Sequence, residues 1–207
     1  MIKYSLNLKL FFFINILFIY LVICLSAFGE NLNLSNEQIV LGANKAPVKI
    51  KIFSSLTCPH CANFHTRVLP KIKEKYVDKG KVQLIFIDFP LDQAGFNASK
   101  LLHCLNKKKQ MAFLDKIYED QNKWTNETNL IDINKNLKKI VENLGINQTK
   151  FDKCLNDEAI ADKILNGRIE GQNKYSINST PTIIINEKKF EGSTNFESIE
   201  KKIEKLI

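Results

Sequence analysis

The amino-acid sequence predicts an α/β fold: one open sheet in which a βαβ unit and a ββα unit are separated by a helical insertion. Three observations carry that expectation. Two β-type runs, residues 48–53 and 81–89, flank a stretch of helical periodicity. The chain from Gln93 to about Tyr175 is almost wholly helical in pattern. Strand signal returns only at Thr182 to Ile185, ahead of one last amphipathic segment.

The first strand, Val48-Lys49-Ile50-Lys51-Ile52-Phe53, alternates apolar and basic residues, as a half-buried strand does. A helix is expected from about 59 to 76, where Phe64, Val68, Ile72 and Tyr76 recur every fourth residue and Pro70 is the only proline between Ala62 and Tyr76. The second strand, Lys81 to Phe89, is apolar on both faces and so belongs in the interior of a covered sheet. Pro90-Leu91-Asp92 breaks the pattern. In the insertion, Ala98, Leu101, Leu102 and Leu105 form one apolar stripe, and Met111, Leu114, Ile117 and Tyr118 a second. Ile133, Leu137, Ile140, Val141 and Leu144 form a third, which stops at Gly145. Phe151, Cys154 and Leu155 mark a short helix, and Ile160 to about Tyr175 a longer one. After the strand at 182–185, a turn at 186–189 leads to Phe190, and the last helix runs from about Asn195 to Ile207.

Cys58-Pro59-His60-Cys61 lies at the junction of the first strand and first helix. That position puts the first sulfur against the unpaired N–H groups and the positive dipole end of a helix, both of which stabilise a thiolate. The thiolate is the nucleophile of thiol–disulfide exchange. Cys58 is therefore expected to attack, and Cys61, one turn further in, to resolve. Pro59 and His60 tune the pair, with the His60 imidazole expected beside the Cys58 sulfur. A fall in the Cys58 pKa from about 8.5 to about 5 favours the thiolate by roughly 2.7 kcal/mol at pH 7. That makes the disulfide roughly 60 mV more oxidising. Structural zinc is the competing reading, but it needs a second ligand pair. Cys104 and Cys154 do not form a C-x-x-C, so no metal is expected. His65 lies four residues after Cys61 on the same helix, and His103 has no assigned role.

Lys3 and Lys9 precede an apolar stretch from Leu10 to Ile23, and Ala27-Phe28-Gly29 supplies small residues before Glu30. This is the pattern of a secretory signal peptide over residues 1–29, cleaved near Gly29-Glu30. An uncleaved anchor is the alternative. Removing 29 of the 207 residues leaves 178, enough for one domain (30–207) with its insertion at about 93–175. Export leaves four cysteines in an oxidising compartment, with three possible connectivities. The close 58–61 pair makes Cys104–Cys154 the natural second bond, and two buried free thiols are the alternative. The net charge of +8 comes from dispersed lysines. Lys107-Lys108-Lys109 is the only run of three, without interleaved aromatics, so no nucleic-acid partner is expected.

The Cys58-Pro59-His60-Cys61 motif after the first strand of the βαβ unit, the inserted helices, Thr180-Pro181 just before the third main strand and the export signal together resemble the DsbA family of thiol:disulfide oxidoreductases. The resemblance covers nearly all of the chain beyond the leader. It implies a thioredoxin fold and a periplasmic dithiol oxidant acting on reduced exported proteins. It also implies reoxidation by a membrane quinone-linked, DsbB-like oxidase, no cofactor, and a substrate-contacting loop at Thr180 and a cis Pro181. Many relatives keep a buried acid beneath the motif; here the corresponding region carries Ile50 and Ile52, with Lys49 and Lys51 between. Removal of the Cys61 proton is therefore expected to fall to water or His65. The alternatives are a periplasmic isomerase or reductant and a non-enzymatic exported binding module. An isomerase of this superfamily carries an added dimerisation domain, for which Glu30 to Ala46 is too short. A binding module is marked by loss of an active cysteine, and both are present.

Overall fold

The structure, a computed structural model, describes residues 39–207 and builds them on a five-stranded sheet. The leader expected over residues 1–29, with its cleavage point, lies outside the described residues. The strands are β1 (Ile39–Leu41), β2 (Val48–Ser54), β3 (Val82–Asp88), β4 (Thr182–Ile185) and β5 (Lys188–Lys189), in the spatial order β1-β3-β2-β4-β5. β2 and β3 are parallel; β1, β4 and β5 each run antiparallel to the neighbour they join. Ile50 pairs with Leu84 on one side and Ile185 on the other, so the apolar residues line up across the sheet.

The helix after β2, α1, spans residues 59–77 and crosses back to β3 to complete the βαβ unit. It is less regular than its periodicity predicts. Two α-helical segments, Pro59–Asn63 and Leu69–Ile72, alternate with π turns at Phe64–Val68 and Lys73–Val77. The first π turn precedes Pro70, which has no N–H to donate back along the helix. The insertion contains α2 (Gln93–Cys104), α3 (Lys107–Glu119), α4 (Gln121–Thr125), α5 (Leu130–Glu142), α6 (Gln148–Leu155) and α7 (Glu158–Tyr175); α8 (Phe196–Glu204) closes the chain. Asp92, Asn106, Asn129, Asn147, Asp157 and Asn195 each cap the helix that follows with a side-chain oxygen. These caps set the breaks within a block whose periodicity alone reads as nearly continuous. Gly145, at φ +84°, ends the α5 region where its stripe predicts a stop.

One face of the sheet packs Val48, Ile50, Ile52, Leu84 and Ile183 against α1 and α8, through Phe64, Ile72, Ile199 and Ile203. On the other face Phe53 and Ile184 meet Phe89, Tyr175 and Ile177. The insertion has its own core, built from Ala98, Leu101, Phe113, Ile117, Trp124, Leu137 and Val141, and Cys58 and Cys61 belong to it. Two features differ from the sequence reading. β1 is a three-residue edge strand paired to β3, whose short Ile-Val-Leu run carries no usable period. The closing hairpin turns at Asn186 and Glu187, both at positive φ, so β5 begins at Lys188. Among the described residues no helix is long and apolar enough to cross a membrane.

Candidate active site

Cys58 is the N-cap residue of α1, with extended backbone (φ −79°, ψ 120°) and no side chain capping the helix. Pro59 enters the first turn, where its missing N–H leaves no bond unmade. The remaining N–H groups of that turn are thus available to the sulfur rather than to a capping oxygen. The turn before the helix is closed by Cys58 N–H donating to Ser55 O at 3.2 Å, and Ala62 N–H returns to Cys58 O at 3.1 Å. Both thiols are free. Cys58 retains 7% of its surface and Cys61 only 2%, so Cys58 is the sulfur an incoming group reaches first.

The two thiols are driven in opposite directions. Cys58 is pulled down to about 5, first by the hydrogen bond from the Cys61 thiol, against the opposing effect of burial, then by Thr180 and the backbone N–H groups of Cys61 and His60. Cys61 is pushed far above the ordinary thiol range, first by burial and then by the neighbouring Cys58. Charge is thereby concentrated on the outer sulfur.

The chain returns to this site at residues 179–182. The Thr180–Pro181 peptide bond is cis. The Cys58 thiol donates to Thr180 O at 3.3 Å, and Thr182 Oγ1 donates to Ser179 O at 2.7 Å, holding the loop. The Thr180 hydroxyl is buried without a hydrogen-bond partner. It favours the charged form of both sulfurs.

His60 meets the Cys58 thiolate through its backbone. Its side chain is exposed, and its backbone N–H is what contributes to the Cys58 thiolate. His65 is buried, with Nε2 2.8 Å from Asp115 Oδ1 and its ring 4.8 Å from that of Tyr118. Burial lowers its pKa against the pull of Asp115, which favours the neutral imidazole. It lines a cavity of about 420 Å³ with Leu41, Leu69, Pro70 and Met111, which neither active cysteine enters. Cys104 and Cys154, on α2 and α6, are joined by a disulfide with Cα atoms 6.0 Å apart. No cluster of His, Cys, Asp and Glu suited to a metal occurs among the described residues.

Sequence reasoning missed a buried acid. Asp88 ends β3 opposite Ser54 and lies 2.6 Å from His103 Nε2 on α2, with both side chains largely buried. Burial raises the Asp88 pKa, but His103 outweighs it and holds the carboxyl below its usual range. The acid lies on β3, beside the strand where the sequence carries Ile50 and Ile52, and its partner is a histidine to which the sequence assigned no role. The only signal was one Asp closing an otherwise apolar strand.

Two thiols of such unequal acidity within one helical turn suit one cycle: a disulfide opens at the outer sulfur while the inner one holds the proton. The molecule is a thiol–disulfide exchange protein on a thioredoxin-type sheet. The thioredoxin family model matches residues 34–205. A Bacillus cereus relative named "Probable disulfide bond formation protein D" is 31% identical over 187 residues, 86% of this chain and 83% of that protein. The crystal structure of Wolbachia pipientis alpha-DsbA1 superposes with a TM-score of 0.75 at 36% identity, over 83% of this chain and 91% of that one. Oxidised BdbD of Bacillus subtilis shares the fold, with a TM-score of 0.72 at 24% identity, over 82% and 92% of the two chains. The chain belongs to the thioredoxin family, within its DsbA-like protein-disulfide oxidoreductases.

Proposed function

We propose that this chain is an exported dithiol oxidant that introduces disulfide bonds into reduced proteins. The observation that carries this reading is the acidity of Cys58, about 5, beside a buried and far less acidic Cys61. In the oxidised enzyme a substrate thiolate attacks Cys58 Sγ, the Cys58–Cys61 bond breaks, and Cys61 takes up a proton. A second substrate thiolate then attacks the substrate sulfur of the mixed disulfide, and Cys58 leaves as a thiolate. The substrate loses two electrons and two protons; the enzyme gains both electrons and one proton, and solvent takes the other. A low leaving-group pKa speeds that departure and stabilises the reduced enzyme, which favours oxidation of the substrate. In the reverse direction Cys58 is the attacking thiolate and Cys61 resolves.

Thr180 and Pro181, facing Cys58, present backbone to the substrate peptide. The leader at residues 1–29 places the working domain, 30–207, in the periplasm, where a DsbB-like membrane oxidase linked to quinone restores the disulfide. Equilibration of the Cys58–Cys61 pair in glutathione buffers tests the direction. A potential well above that of glutathione is expected, and one near that of thioredoxin, about −270 mV, would make the protein a reductant. Trapping tests the roles: Cys61→Ala should accumulate mixed disulfides with exported proteins and Cys58→Ala should not. Equal trapping by both would reverse the assignment.

A further inference from the structure

The turn that delivers Cys58 is held from the insertion, and one side chain makes most of the connection. Gln121 opens α4 and is buried. Its amide nitrogen donates to Leu56 O at 2.8 Å and to Cys58 O at 3.1 Å. These two carbonyls, two residues apart, converge on the same point, and like-oriented carbonyl dipoles repel unless a donor lies between them. A side-chain amide has the two N–H groups this requires. Cys58 O is also the acceptor of the first bond of α1, from Ala62 N–H. The Cys58–Pro59 peptide plane is therefore pinned from the helix and from the insertion together. The Gln121 backbone is fixed in turn, since Thr125 Oγ1 donates to Gln121 O at 2.7 Å.

We infer that Gln121 is a positioning residue for the nucleophile: by holding the Leu56 and Cys58 carbonyls it fixes the plane from which the Cys58 sulfur meets the N–H groups of His60 and Cys61. In these bonds Gln121 touches backbone carbonyls and not the sulfur, so it acts through the backbone. The opposite side of the turn is tied independently, by Thr57 Oγ1 donating to Asp92 Oδ2 at 2.7 Å, so loss of Gln121 frees one carbonyl pair without releasing the whole loop. A hydrogen bond's direction is steep with angle, so a tilt of this plane weakens the sulfur's contacts even where the fold persists. The inference rests on Cys58 being the attacking thiol, which the trapping of Cys61→Ala decides separately.

The test is Gln121→Met, which keeps length and removes both donors, measured by thiolate absorbance against pH and by glutathione equilibrium. Cys58 should become about tenfold less acidic, and the equilibrium should shift about tenfold, or about 30 mV, toward the disulfide. Trp124→Phe is the control. It removes the bond from Trp124 Nε1 to Ile117 O and part of a buried ring, so it should lower the melting temperature and leave both readings unchanged. Gln121→Asn keeps the amide one methylene short and should give an intermediate shift, which preserves the test if the Met variant fails to fold. A lower melting temperature with unchanged Cys58 acidity in the Gln121 variants would overturn the inference. An equal shift in Trp124→Phe would also overturn it, by showing general loosening.

Discussion

The Cys58 sulfur lies 3.3 Å from the carbonyl oxygen of Thr180, a residue 122 positions later in the chain. That oxygen accepts from the thiol and repels the thiolate, whereas the Thr180 hydroxyl is a donor that favours the thiolate. One residue thus places an acceptor at the thiol and an otherwise unpartnered hydroxyl whose effect is to lower the Cys58 pKa.

Thr180→Val retains the shape and the carbonyl but removes the hydroxyl. Cys58 should become less acidic by a factor of about five, the equivalent of one ordinary hydrogen bond of about 1 kcal/mol. Thiolate absorbance against pH reads this directly. An unchanged titration would show that the hydroxyl takes no part.

His60→Ala leaves the backbone N–H of residue 60 in place. The Cys58 pKa should therefore remain well below the ordinary thiol value, with the greater part of its depression intact. A return to about 8.5 in the same titration would assign the effect to the imidazole instead.

The two redox forms should differ in how stability follows pH. A thiol whose pKa falls to about 5 on folding adds nothing to the reduced form below pH 5. Its contribution grows from there and is complete above the unfolded value of about 8.5. Cys61 has the opposite sign, because its raised pKa destabilises the reduced form once the unfolded thiol ionises. Carboxylates common to both forms largely cancel in the difference. Denaturant melts should show the reduced form gaining on the oxidised form from pH 5 to about 8 and losing ground above about 9. A constant gap across pH 5–8 would contradict the assignment.

Replacing Cys104 and Cys154 together by alanine opens a loop of 50 residues. The chain-entropy relation gives a loss of roughly 4 kcal/mol, so the midpoint of denaturation should fall markedly while thiol exchange at Cys58 persists. Digestion of the native protein without reductant should yield the 104–154 peptide pair. Alkylation of both cysteines in the native protein would show that they are free thiols.

The sheet was legible where burial imposes a period. β2 alternates over 48–52 because Val48, Ile50 and Ile52 face the core with α1 and α8 while Lys49 and Lys51 do not, and β3 is apolar on both faces because Val82 and Leu84 enter that core and Ile87 packs on the other side. The helical block was legible as helix, but its breaks depend on single Asn and Asp caps that a chain so rich in Asn does not distinguish from ordinary surface residues. β1 was missed because three residues are too few to carry a period. For His60 the motif names a residue but does not say whether its side chain or its backbone faces the sulfur, which only the folded turn decides.

By itself the sequence determined the order of elements, the motif and its place at a helix start, because spacing along the chain is enough to specify hydrophobic faces and a helix N-terminus. Only the tertiary structure decided what surrounds the sulfurs. Thr180 reaches Cys58 from 122 residues away, Gln121 reaches its carbonyl from 63, and His103 finds Asp88 across the join between sheet and insertion. Hydrogen bonds and charge pairs of this kind depend on distances of about 3 Å between side chains, and those distances exist only once the hydrophobic cores have brought distant segments together.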